Sequence, residues 1–423
     1  MSQRILCASS ILALLAPLAC GDAGEAPKPQ AAAEAAEAPA PLPDDLPNGL
    51  LLALSTFEKG EDGKPIPLSE LMVLTRSGGA WHARSYADPE SNVFHKALVW
   101  APPGQPPAVL TLGGSAAAVK LWRKGEAGLA PVETLWQTDF GGKWSRMRDA
   151  EVGDLDGDGS LELAIATHDQ GVVAVLHVGA DGAVEVEELD RQPDTFVHEI
   201  ELGDLDRDGK LEIYATPSEP NRLDGTPQPG SVVRYQPGEP GSRTVVADLG
   251  DRHAKEILAG DVDGDGRDEL YVSVEAAQGG AVEVRRYESG TDPKAGVVIA
   301  SLYDPMARFL SAGDVDGDGK QEMVVAGKDS GLWLLRPGAD PKAAWRTERI
   351  DAQSKGFEHA ALLTDLDGDG MAELYVASDD DKQIRRYAWD GQRLAREVIH
   401  QRSDPQPVLT WNLAPVPVEL VRR

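Results

Sequence analysis

One phrase recurs five times along this chain, and it dictates most of what the chain can fold into. The copies are GDLDGDGSLELAIAT from Gly153, GDLDRDGKLEIYATP from Gly203, GDVDGDGRDELYVSV from Gly260, GDVDGDGKQEMVVAG from Gly313 and TDLDGDGMAELYVAS from Thr364. Their first aspartates fall at 154, 204, 261, 314 and 365, a period near fifty. In each unit an apolar run such as EIELG precedes the Asp-rich loop and a β-rich run such as LEIYAT follows it. Two further strand-like runs, such as GSVVRYQ and RTVVADL, complete the unit. This is a four-stranded antiparallel meander of the size of a propeller blade. No long stretch of the repeat region carries helical periodicity.

A sixth unit emerges once the acidic residues are ignored. His95–Ala101 aligns with His198–Asp204, and Ala108–Leu112 aligns with Leu211–Ala215. Between them lies PPGQPP, residues 102–107, a loop stiffened by proline and lacking metal ligands. The remainder offers LLLALSTF, PLSELMVLT and AWHARSY near the start, and VLTWNL and VPVELV at the end. Three strands plus one from the far terminus make a seventh blade, and closing the ring this way removes exposed sheet edges. Dividing residues 48–423 among seven units gives roughly 54 each, in line with the period. The expectation is an all-β, seven-bladed propeller closed by its terminal strands; six or eight blades stay open as alternatives.

The loops read D-x-D-x-D-G-x-x-E. Alternate carboxylates converge when the chain wraps tightly, glycine at position six permits the turn, position seven offers a backbone carbonyl, and glutamate at nine closes the set. Hard oxygen donors on a flexible wrap suit Ca²⁺ better than Mg²⁺. The expected ligand sets are Asp154, Asp156, Asp158, Ser160 and Glu162; Asp204, Asp206, Asp208, Lys210 and Glu212; Asp261, Asp263, Asp265, Arg267 and Glu269; Asp314, Asp316, Asp318, Lys320 and Glu322; and Asp365, Asp367, Asp369, Met371 and Glu373. A solvated acidic turn is the plainer alternative. It must accept like charges that repel by about 4 kcal/mol at 4 Å and an effective dielectric of 20, five times over. An EF-hand needs a glutamate at position twelve, where this chain has Ile165, Ala215, Val272, Val325 and Val376. Net charge is −29, from 70 acidic and 41 basic residues, so calcium would offset part of the surplus. So acidic a chain lacks the basic footprint of a nucleic-acid binder.

Phe309-Leu310-Ser311-Ala312-Gly313-Asp314-Val315-Asp316-Gly317-Asp318-Gly319 resembles the FG-GAP motif of integrin alpha-subunit propellers and bacterial VCBS-type repeat proteins. The resemblance is strong over about residues 145–390. It implies calcium in the loop between the first two strands of a blade and a scaffold for adhesion or ligand binding. It does not imply any particular reaction. Integrin repeats usually carry aspartate at position nine, where all five copies here have glutamate.

Residues 1–19 read as a lipoprotein signal peptide: Arg4, an apolar run from Ile5 to Leu18, then Leu18-Ala19-Cys20-Gly21, which resembles a lipobox with Pro17 in place of the preferred leucine. Cys20 is the expected lipidation site; an ordinary signal peptide is the alternative. Residues 20–47, rich in Ala, Pro and Glu, form a flexible tether, and 48–423 form the propeller. The two cysteines, Cys7 and Cys20, both precede the folded region, which is left without disulfides.

Six residues before each loop stands a basic or titratable residue: Arg148, His198, Lys255, Arg308 and His359, with His95 in the sixth unit. If the first strands line the axis, these form a ring at its mouth, opposite the calcium loops, suited to an anion such as a carboxylated sugar or phosphate. Pairing with Asp149, Glu199 and Glu256 is the structural alternative. No phosphate loop, H-E-x-x-H or G-x-S-x-G is present. Trp100, Trp144, Trp333, Trp389 and Trp411 are expected to pack between blades. The sequence thus favours a monomeric, calcium-stabilised ligand-binding or adhesion module on the cell envelope, anchored by lipid only, with a glycan or protein ligand. A propeller enzyme such as a polysaccharide lyase, and a structural envelope component, rank below it.

Overall fold

The computed structural model describes residues 39, 41–61, 63–141, 145–220, 226–239, 241–277 and 279–422. The expected signal peptide, Cys20, most of the expected tether and Trp144 lie outside the described residues. Seven four-stranded antiparallel sheets follow one another along the chain. Blade two begins with strand Phe94–Trp100, blade three with Met147–Gly153, blade four with Phe196–Gly203, blade five with Ala254–Gly260, blade six with Ala307–Gly313 and blade seven with Ala361–Thr364. These innermost strands touch one another in succession around the axis. Blade one takes its innermost strand from the far end of the chain: Leu409–Pro417 pairs with Asn48–Lys59, from Asn48↔Pro417 to Ser55↔Leu409. The expected closure by both termini is therefore present. One difference is at VPVELV, where Val416 and Pro417 extend the strand and Val418–Val421 turn into a single helical turn. No described helix is long and apolar enough to cross a membrane.

The core is divided into seven apolar clusters, one per blade interface. Val173 and Val175 of blade three pack on Ile200, Ile213 and Tyr235 of blade four. Tyr375 and Ile384 of blade seven pack on Leu50, Leu52 and Leu413 of blade one, completing the circle. Second strands such as Glu162–Thr167 and Glu269–Val274 are buried along their whole length because both faces meet a neighbouring blade. Outermost strands such as Val184–Asp190 face solvent and carry the charge. Trp100, Trp333 and Trp389 pack into inter-blade clusters as expected. Trp411 instead lies at the axis, its ring 4.9 Å from that of His95.

Candidate metal loops and axial site

Every Asp-rich loop joins the first and second strands of its blade. The position-one aspartate organises the wrap by accepting backbone N–H groups. Asp154 takes Gly157 and Gly159 at 2.8 and 3.1 Å, and Asp365 takes Gly368 and Gly370 at 2.6 and 2.8 Å. Two loop positions are left-handed, where a Cβ is unwelcome. Position six is glycine in all five loops, with φ between 83° and 93°. Position four is glycine in four loops and Arg207, at φ 61°, in the fifth. Carboxylate oxygens of Asp154, Asp156 and Asp158 lie within 4.8 Å of one another, as do those of Asp261, Asp263 and Asp265. Asp204, Asp206 and Glu212 form a third such set, and Asp314, Asp316 and Glu322 a fourth. These all-oxygen sets could hold a metal ion, and their hardness suits calcium. At position seven, Ser160, Lys210, Lys320 and Met371 each donate a backbone N–H to the aspartate at five, at 2.7–2.9 Å.

The glutamate at position nine behaves differently from a free loop ligand. It is buried in every loop, and in blades four to seven it meets an arginine from the third strand of its own blade. Arg234 Nη1 is 3.2 Å from both Asp206 and Glu212. Arg286 Nη2 is 2.7 Å from Asp263 and 2.9 Å from Glu269. Arg336 Nη1 is 2.8 Å from Asp316 and 2.6 Å from Glu322. Arg386 Nη2 is 2.7 Å from Glu373, and in the first loop His177 stands 3.8 Å from Asp156. The second glutamate oxygen has two kinds of partner. Tyr214, Tyr271 and Tyr375 donate their hydroxyls to it in blades four, five and seven, at 2.8–3.2 Å. In blades three and six the loop's own backbone does so, Leu155 N–H to Glu162 and Val315 N–H to Glu322. Burial pushes Glu212 and Glu269 up to about 7. Even the sixth unit, whose loop lacks the aspartates, keeps a third-strand arginine: Arg123 donates to the carbonyls of Pro106 and Pro107 at 2.8 and 3.1 Å.

At the opposite end of the inner strands, roughly 20 Å away at strand rise over six residues, five of the six ring residues share one electrostatic neighbourhood. Arg148 lowers the pKa of His95, His198 and Lys255, and Arg308 lowers those of His198 and Lys255. Burial is the larger cause in each case; it holds both histidines well below their ordinary range and brings Lys255 down to about 7. His359 does not join them. Its residue sits at φ 57°, before the inner strand of blade seven begins, and its ring meets Gly327 O and Ser354 Oγ at 2.7 and 2.8 Å. Three members were not foreseen. His168 lies 5.6 Å from the His95 ring and 5.9 Å from that of His198. Phe196 lies 4.1 Å from the His168 ring. Trp411 lies under the Arg148 guanidinium at 5.4 Å. His168 was legible: six residues after each loop glutamate come His168, Glu275, Lys328 and Asp379 in four of the five units. Buried nitrogens without hydrogen-bond partners gather here: His95 Nε2, His168 Nδ1, His198 Nε2 and Arg308 Nη2. Below them Lys96 joins Asp149 and Glu151 at 2.6 and 2.5 Å, and an axial cavity of about 430 Å³ is lined by Glu199, Glu201 and Glu256.

Residues 154–215 and 261–325 match the FG-GAP-like repeat, each stretch running from one Asp-rich loop into the second strand of the next blade. The molecule is an FG-GAP-repeat β-propeller. Comparison with curated proteins gives no match. Among solved structures, this FG-GAP propeller resembles a candidate 6-phosphogluconolactonase from Bacteroides fragilis, with a TM-score of 0.51 and 14% identity over 87% of this chain and 98% of the other. It also resembles the periplasmic gluconolactonase PpgL of Pseudomonas aeruginosa, with a TM-score of 0.51 and 16% identity over 85% and 97%. At such identities the likeness concerns the fold.

Proposed function

We propose that this FG-GAP propeller is a calcium-stabilised binding module of the cell envelope, tethered through Cys20, which holds an anionic ligand at the basic end of its axis. The observation that carries the reading is the gathering of unpartnered buried nitrogens on His95, His168, His198 and Arg308 beside Arg148. Buried polar nitrogens without partners are costly and rare in native proteins. Neutral imidazole N–H groups of His168 and His198, backed by guanidinium groups, are suited to an oxyanion, such as the carboxylate of an acidic sugar or a phosphate, while His95 gives its Nδ1–H to Met147 O and leaves Nε2 to accept from the ligand's own hydroxyl. The surrounding cations argue against a metal at the same place. The Asp-rich loops, at the far end, supply calcium sites whose role is to fix the ends of the inner strands.

The test is calorimetric titration of the protein with uronic-acid oligosaccharides and with inorganic phosphate, with and without calcium. Arg148→Ala and Arg308→Ala should each weaken binding by about tenfold or more, the loss of a charge-assisted hydrogen bond. Unchanged affinity in both variants sinks the reading. Hydrolysis of a gluconolactone, the activity named for the two fold neighbours, would move the assignment to an enzyme.

A further inference from the structure

A separate cleft of about 140 Å³ opens at this end of blade five. Lys255, Glu275 and Gln228 are its buried lining, His253 and Lys328 border it, and Pro305 and Met306 give it an apolar wall. Among the described residues the nearest acidic partner of Lys255 Nζ is Glu275 Oε1, at the loose distance of 4.0 Å. That oxygen has no hydrogen-bond partner, although Arg308 Nε approaches to 3.7 Å. Glu275 Oε2 is engaged by His253 Nε2 at 2.8 Å. Glu275 is thus a hub that orients a histidine on one side and stands between a lysine and an arginine on the other. A lysine retained for stability would close on its carboxylate, because a buried ammonium held so loosely costs several kcal/mol that an apolar side chain of similar size would not.

We propose that Lys255 is the nucleophile of a small-molecule site that captures a carbonyl compound carrying a carboxylate, such as a 2-oxo acid or an aldehyde acid, as a reversible imine. The amine lone pair forms a bond to the carbonyl carbon while the C=O π pair moves to oxygen. The nitrogen releases a proton to the Glu275 carboxylate, and His253, held by Glu275, relays a proton to that oxygen. The carbinolamine nitrogen then releases its second proton along the same Glu275–His253 route to the hydroxyl, which departs as water while the nitrogen lone pair forms C=N; both amine protons leave in the water, so amine plus carbonyl gives imine plus water with no change of oxidation state. Lys328, at the border of the cleft, supplies positive charge for the substrate's carboxylate; Arg308, outside the cleft lining and paired with Glu358, acts on Lys255 through its charge alone. Lysines are activated in this way by burial and by a neighbouring cation. Both act here, since burial and then Arg308 bring Lys255 down to about 7, while His253, Lys255 and Arg308 outweigh burial to keep Glu275 ionised.

The site goes beyond the anion-binding reading, from which it borrows Lys255 and Arg308, and it requires no calcium. Purified protein is incubated near pH 7 with cyanoborohydride and pyruvate, glyoxylate or uncharged propanal, and the trapped amines are mapped by peptide mass spectrometry. Lys255 should be labelled roughly 100-fold faster than the exposed Lys294 and Lys342, because an ordinary lysine is almost wholly protonated at that pH. Lys255→Arg should lose that adduct, and Lys328→Ala should slow labelling by pyruvate but not by propanal. Labelling spread over exposed lysines, with Lys255 unmodified in the wild-type chain, overturns the proposal without recourse to a variant. An adduct on Lys255 without axial anion binding leaves this site standing and removes the other reading; anion binding without the adduct does the reverse.

Discussion

His359 is the residue whose burial bears most directly on stability in acid. Its ring is enclosed, and burial brings its pKa from 6.5 down to about 4, against the raising effect of its bond to Gly327 O. The folded state therefore refuses a proton that the unfolded chain accepts. Nothing is lost above pH 6.5, and about 3 kcal/mol is lost as pH falls from 6.5 to 4. His95, His168 and His198 are shifted in the same direction. Asparagine tolerates the left-handed backbone at 359 and does not titrate there. In urea denaturation, the stability difference between wild type and His359→Asn should shrink as pH drops through that window; a constant difference would count against the assignment. The same residue shows why residue-scale reading has limits. Its spacing from the loop was visible in sequence, but the late start of its strand, which turns the ring toward Gly327, was not. The third-strand arginines were equally visible as letters, yet only cross-strand pairing brings Arg286 onto Asp263 and Glu269.

At the scale of the strand, the inner edge of each blade is irregular in a useful way. The first two strands shift register between Val197 and Ile200 and between Ala307 and Leu310. Bulges of this kind leave an N–H unpaired, and the neighbouring blade accepts it: Ile200 N–H donates to Asp149 Oδ2 at 2.8 Å and Leu310 N–H to Glu256 Oε1 at 3.0 Å. Asn412 Oδ1 takes Ala97 N–H in the same manner at 3.2 Å. The carboxylates expected to neutralise the basic ring are thus partly committed to joining blades. Asp149→Ala should destabilise the fold by about 3–5 kcal/mol, because it strips a partner from both Ile200 N–H and the buried Lys96 ammonium. Asp149→Asn, which keeps an acceptor, should lose less. Equal losses in chemical denaturation would show that the Ile200 contact contributes nothing.

Over the whole molecule, stability rests on a closed circle of seven apolar interfaces and, by our reading, on cations in the loops of blades three to seven. Chelation with EGTA should lower the melting temperature; a ligand at a hundredfold excess over its Kd contributes about 2.7 kcal/mol per site. Elemental analysis showing no calcium before chelation, together with an unmoved melting curve, would remove the metal from the architecture. The sequence by itself determined the repeat, the blade and the convergent loop aspartates, and favoured seven blades while leaving six or eight open, because these follow from local periodicity and turn chemistry, which need no distant partner. Only the tertiary structure decided that Trp411 and His168 reach the axis, that buried glutamates at position nine are held by arginine and tyrosine, and that Lys255 opens onto a cleft beside Glu275. Each of those depends on which residues, far apart along the chain, the closing of the ring presses into the same space, and a linear pattern carries no record of that distance.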